Sequence, residues 1–179
     1  RKFWCMKQQI GLHFRITPSL GEVVNQAHAL ALPVIQTFLL HQDTGTHLVP
    51  DEAMPDELKS LMAQFKKRYA HAAYWINLAS GASRGGQHIL KKELVLAQQL
   101  GYDAVILHPG SAVGYETKQE GIDAVARRLN RIHSRIEMPI LLENTAHGNL
   151  AVGSSLQDLA AIKAQLKKPE LVSFCIDTA

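Results

Sequence analysis

Cysteine is scarce: only Cys5 and Cys175 occur in 179 residues, too few for a disulfide framework. That scarcity points to a reducing, cytoplasmic compartment. Cys175 lies in an apolar run and reads as a buried small hydrophobe. No apolar run approaches the roughly 20 residues that span a bilayer, so no membrane partner is expected. Neither sign of charge dominates: a net charge of +3 permits a polyanionic partner without arguing for one. A doubly wound nucleotide-binding sheet advertises a Gly-rich loop after its first strand. LHFRITPSLG stands there instead. Low-complexity linkers are missing too, and with them any sign of a second domain.

What is present is an alternation of apolar runs and amphipathic stretches. QIGLHF, VIQTFLL, AVILH, PILLE and VSFCID read as strands, rich in β-branched and apolar residues without polar alternation, as in a parallel sheet covered on both faces. Between them lie helical patterns. LGEVVNQAHALAL follows Pro18 and Ser19. PDELKSLMAQFKKRY reads as one helix with Pro55 in its first turn. GGQHILKKELVLAQQLG is closed by Gly101. ETKQEGIDAVARRLNRIHSRI is long, and SLQDLAAIKAQLKK has Ser155 as candidate cap. Candidate strand exits fall near His13, His41, His71, His108, Glu143 and Asp177, at intervals of 28, 30, 37, 35 and 34 residues. That is the cadence of repeated βα units. Eight such units close a barrel of about 250 residues. The fold class is therefore α/β, a TIM (β/α)8 barrel of which only the first six βα units are present. Residues 6–179 are expected to form this single domain, incomplete at its C-terminal end, with RKFWC as an extension ahead of Met6.

In a parallel barrel, functional groups gather where strands end. His108, Glu143 and Asp177 each follow an apolar strand, and an imidazole with two carboxylates suits zinc, manganese or iron. A lone residue of this kind also has ordinary roles, such as capping a helix or pairing with a base. Three at a regular interval need a shared explanation, because buried charge needs a metal or a partner.

The residues around those three carry a further signal. LHPGS at 107–111, LENTA at 142–146 and CIDTA at 175–179 resemble the endonuclease IV family of zinc-dependent apurinic/apyrimidinic endonucleases, which share a TIM barrel with xylose isomerase. The resemblance runs from about Ile10 to the end of the chain. It implies a DNA-repair enzyme that hydrolyses the phosphodiester 5′ to an abasic site in double-stranded DNA. It implies up to three zinc ions, with manganese as an alternative, and a monomer at full length. His71 and His108 would bind one zinc, Glu143 would bridge it to a second and act as the catalytic carboxylate, and Asp177 would bind the second. Further ligands would lie beyond Ala179. YAHAAYWINL matches the family around His71, which makes Tyr74 and Asn77, with Ser111, the candidate DNA-binding residues. The resemblance needs a strand through KRYA with His71 at its exit. If AHAAYWIN were the strand, His71 would sit at the wrong end.

Some positions depart from the family. FRITPSLG replaces a small, Gly-rich segment. The loop after the second strand carries Asp43, near His41 and His47, where the family has a basic residue that enters DNA, and a carboxylate repels phosphate. His147 replaces a glycine after ENTA. Arg15 and Asp43 keep two rivals in view: a divalent-metal sugar isomerase or epimerase of the same fold, and a catalytically inactive, divergent or truncated binding protein. Trp75 reads as core among apolar neighbours, with stacking on a nucleotide beside Tyr74 as the alternative. His28, His88 and His133 read as surface positions on helices. Arg127, Arg128, Arg131 and Arg135 recur at helical spacing as a solvated outer face. Ser111 and Thr145 suit either phosphate or the capping of nearby backbone.

Overall fold

Six strands form one parallel sheet: β1 (Gly11–Ile16), β2 (Val34–His41), β3 (Lys67–His71), β4 (Ala104–Leu107), β6 (Ile140–Glu143) and β8 (Val172–Cys175), side by side in that order. The structure, a computed structural model, describes residues 9–41, 43–49, 55–82, 84–146, 148 and 150–178. The RKFWC extension with Cys5, as well as His147 and Ala179, lies outside the described residues. Helices α1 (Leu20–Ala29), α2 (Asp56–Met62), α3 (Arg84–Gln99), α4 (Lys118–His133) and α5 (Leu156–Ala164) connect the strands. Two short strands, β5 (Gly110–Ser111) and β7 (Ala151–Val152), pair antiparallel. The six-unit barrel arc read from the sequence is thus the architecture. No helix among the described residues is long and apolar enough to cross a membrane.

Alternation along the strands divides the sheet into two faces. Ile35, Leu39, Val105, Leu107, Ile140 and Leu142 are buried with the helical residues Leu90, Leu94, Leu129 and Ile132. The opposite face, with His13, Gln36, Tyr69, Ile106 and Leu141, lines a cavity of 460 Å³. A closed barrel fills that space with layered side chains.

Helix starts follow local chemistry. Ser19 caps α1 through Glu22 N at 3.2 Å, and Ser155 caps α5 as expected. Thr117 and Glu120 form a reciprocal capping box on α4.

The helix expected over PDELKSLMAQFKKRY needs correction. It ends at Met62, Pro55 is its N-cap, and Lys67–His71 is a strand in register with β2, Phe38 opposite His71. Charge is tolerated in β3 because it sits at the strand's entrance. Arg68 donates to Asp103 from Nε at 3.0 Å and from a second guanidinium nitrogen at 3.1 Å, and its backbone N–H donates to the same carboxylate at 2.8 Å. Three further expectations fail for similar tertiary reasons. His133 is buried, and His28 is half-buried, packed on Phe65 with Nε2 3.0 Å from Leu61 O. Arg128 turns inward to donate to Leu78 O, whereas Arg127, Arg131 and Arg135 are exposed.

Candidate metal centre

The strands β3, β4 and β6 lie next to one another, so their exits share one rim of the sheet. His71 ends β3, His108 follows β4 by one residue, and Glu143 ends β6. The three side chains converge. His71 Nε2 lies 3.1 Å and His108 Nε2 3.2 Å from the same oxygen, Glu143 Oε2. One donor atom from each residue lies within 4.8 Å of the other two.

His71 is oriented by its other nitrogen. Nδ1 lies 2.8 Å from Ala72 O; a carbonyl can only accept, so Nδ1 carries a proton and Nε2 faces the centre. A metal-ligating histidine is usually fixed in this way. Two imidazole nitrogens and a carboxylate make a donor set suited to zinc and compatible with manganese. The residues present therefore fit a divalent transition metal.

The surroundings tune these groups. Burial opposes charge on His71, but the Glu143 carboxylate and Ala72 carbonyl outweigh it and raise its pKa. Burial lowers the pKa of His108. Glu143 is also desolvated, yet the hydrogen bond from His71 and the charges of His108 and His71 lower its pKa.

Asp177 stands two residues beyond β8, exposed and outside that trio, close enough for its charge to act on Glu143 and His108. Its backbone is held by Asn144: Asp177 N donates to Asn144 Oδ1 at 2.7 Å, and Asn144 Nδ2 donates to Asp177 O at 2.9 Å. Asn77 serves the framework. Its Oδ1 accepts from the backbone N–H of Ala79, Ser80 and Ser111, and its Nδ2 donates to Ser111 O. Gly110, at φ +101°, belongs to the same junction, because a β-carbon there would overlap the Asn77 amide. Ser111 Oγ donates to Leu150 O at 3.2 Å and Thr145 Oγ1 to Val152 O at 3.4 Å, both toward the β7 segment. Tyr74 is exposed at the rim and meets Trp75 edge-on at 5.0 Å. Trp75 is 44% exposed rather than core, since the loop after β3 turns it outward.

Several neighbours of the centre carried no local sequence signal. His13 stacks on His71 with ring centroids 5.6 Å apart, and burial together with His71 lowers its pKa to about 4. Phe38 packs against both rings. Cys175 is only partly buried, contrary to expectation, with Sγ 3.7 Å from Glu143 Oε1; burial and that carboxylate push its thiol to about 11. The recurrence of histidine at candidate strand exits was the one available hint to His13.

Residues 24–179 match the family model of the xylose isomerase-like TIM barrel. A probable endonuclease 4 of Nitratidesulfovibrio vulgaris (strain Hildenborough) is 31% identical over 176 residues, covering 94% of this chain and 62% of the relative. Another, from Thermotoga maritima, is 29% identical over 178 residues and covers 95% of this chain and 62% of the relative. The chain therefore spans about 62% of the length of these curated relatives. Among solved structures, endonuclease IV from Thermus thermophilus superposes with a TM-score of 0.74 at 24% identity, covering 96% of this chain and 63% of that one. A D-tagatose 3-epimerase-like protein superposes at 0.73 with 17% identity, covering 95% and 65%. At these identities the superpositions speak for the fold. The resemblance in LHPGS, LENTA and CIDTA agrees with the curated relatives.

Proposed function

The chain belongs to the xylose isomerase-like TIM-barrel family, and from that premise we propose that its protein is a zinc-dependent DNA-repair endonuclease that hydrolyses the phosphodiester 5′ to abasic sites in duplex DNA. The observation that carries this reading is the convergence of two imidazole nitrogens on one carboxylate oxygen at three adjacent strand exits. The endonuclease 4 relatives support the choice of substrate.

In this proposal His71, His108 and Glu143 hold one ion, and Asp177 shares a second with Glu143. Zinc, when bound, supplies Lewis acidity at a phosphoryl oxygen and makes water acidic enough to attack near neutral pH. The chain's own residues hold and aim these groups. Ala72 O keeps His71 in the tautomer that offers Nε2. Asn144 fixes the backbone of Asp177. Tyr74 at the rim meets the DNA, while Asn77 and Ser111 act on it through the loop they hold. The protein works as a monomer in the cytoplasm.

The test is cleavage of a duplex with one abasic site by the full-length protein with zinc, beside His108→Ala and Glu143→Ala. The expected result is cutting 5′ to the lesion that both substitutions abolish; equal cutting by all three sinks the reading. A second reading, a sugar epimerase, draws on the exposed carboxylate of Asp43 at the mouth, which disfavours phosphate. Turnover of keto sugars with no cutting of abasic DNA would establish it.

A further inference from the structure

A second cavity adjoins the metal centre. It measures 250 Å³ and lies between the loop after β2 and the exit of β3, with Phe38, Asp43, Gly45, Tyr74 and Trp75 in its walls. Phe38 is the shared wall, since its ring also packs 5.2 Å from that of His71. The cavity is smaller than the roughly 300–1,000 Å³ of drug-sized sites, which suits a single flat ring system.

Both walls are built firmly. The β2 loop folds back on its own strand: His41 N donates to Thr46 O at 2.9 Å, Gly45 N to His41 O at 2.8 Å and Leu48 N to Leu39 O at 3.0 Å. His47 then reaches Glu93 on α3, Nε2 to Oε1 at 2.9 Å. The other oxygen of Glu93 accepts from Ala73 N, in the opposite wall, at 3.0 Å. Glu93 is fully buried. One carboxylate thus ties the two walls together.

The lining has a definite chemistry. Tyr74 and Trp75 are 79% and 44% exposed and stand nearly perpendicular to one another, so one flat ring stacks on Trp75 and meets Tyr74 edge-on. Asp43 accepts from Thr44 N at 2.9 Å, and a carboxylate keeps capacity for further donors. Among the described residues Asp43 has no ion-pair partner and no lysine or arginine lines the cavity. Such a pocket disfavours phosphate and favours a neutral aromatic ring with adjacent N–H donors. Of the DNA bases, guanine has two neighbouring donors, N1–H and the N2 amino group, on its pairing edge. Thymine has one donor between two carbonyls that a carboxylate repels. In a duplex only an unpaired base exposes that edge.

We propose that this cavity is a nucleobase-selective pocket that takes an unpaired guanine in preference to thymine, with Asp43 accepting from the base, Trp75 stacking on it and Tyr74, perpendicular to Trp75, meeting it edge-on. The proposal rests on the DNA-directed reading above.

Its test is equilibrium binding of the full-length protein, with a chelator to prevent cutting. The probes are duplexes carrying one tetrahydrofuran abasic analogue opposite guanine, hypoxanthine or thymine. Guanine is expected to be favoured over thymine by about tenfold, with hypoxanthine, which lacks the N2 amine, between them. Asp43→Asn should bring the guanine-to-thymine ratio close to one, and Trp75→Ala should weaken all three duplexes while leaving the ratio intact. Equal binding of the three duplexes by a protein that cuts abasic DNA overturns the pocket alone, as does a ratio that Asp43→Asn leaves unchanged. A protein that neither binds nor cuts abasic duplex overturns the parent reading.

Discussion

Glu143 and Glu93 each meet an imidazole at hydrogen-bonding distance, 3.1 Å from His71 and 2.9 Å from His47. Their surroundings assign them opposite parts. Around Glu143 one oxygen faces two histidine nitrogens, while among the described residues the other has only the weak thiol of Cys175. Around Glu93 each oxygen has one donor, His47 for the first and Ala73 N for the second, in a fully buried position. The histidines hold Glu143 below the ordinary carboxylate pKa despite its desolvation. Burial raises Glu93 above it, against its two hydrogen bonds. A carboxylate matched donor for donor is a fastening. One that shares an oxygen between two imidazoles is a partial coordination sphere that a cation completes.

The largest expected effect separates the two by metal affinity. His108→Ala or Glu143→Ala should weaken zinc binding by the full-length protein by at least about 100-fold, more than loss of a supporting partner typically costs. Glu93→Gln should weaken it by less than about tenfold. Competition against a chromophoric chelator measures both, and equal losses would break the comparison. Stability should show the reverse order. Glu93→Ala leaves His47 and a buried backbone N–H without their acceptor and is expected to destabilise by about 2–4 kcal/mol in urea unfolding. Glu143→Ala in chelator should cost less than about 1 kcal/mol, because it also removes a desolvated charge.

His47→Ala is a milder break of the same fastening, about 1–2 kcal/mol. Hydrogen exchange should speed up at residues 43–48, with His108 and its neighbours unaffected. The smallest effect is a difference in sign with pH. Because the folded pKa of Glu93 is raised, its proton stabilises the folded state at low pH. The wild type should lose stability relative to Glu93→Gln as pH climbs from the ordinary carboxylate value through the raised one. Asp158 gives the opposite case. It too is desolvated, but Lys118, Ser155 and Gly153 N hold its pKa low. Its contribution should be present above the ordinary value and fall away as pH drops through the lowered one, read against Asp158→Asn.

How much of this was legible depended on whether the signal was local. His108 and Glu143 stood out because each follows an uninterrupted apolar strand. His71 did not, because KRYA is acceptable as a strand only when Arg68 finds Asp103, 35 positions along the chain; its role came from the resemblance of the surrounding residues. His13, Asn144, Glu93 and the thiol of Cys175 act through partners 20 to 58 residues away. Trp75, Arg128 and His133 were misread because helical spacing and apolar neighbours do not say which way a loop or helix face is turned.

The alternation of strands and helices, the arc of six βα units and the placing of His108 and Glu143 at strand exits are encoded locally, because periodicity and strand length are properties of neighbouring residues. That Glu143 receives two imidazoles while Glu93 is a buried fastening between two loops follows from packing alone. A carboxylate's part is set by its desolvation and by the donors that reach it, and those donors come from segments brought together only when the sheet forms.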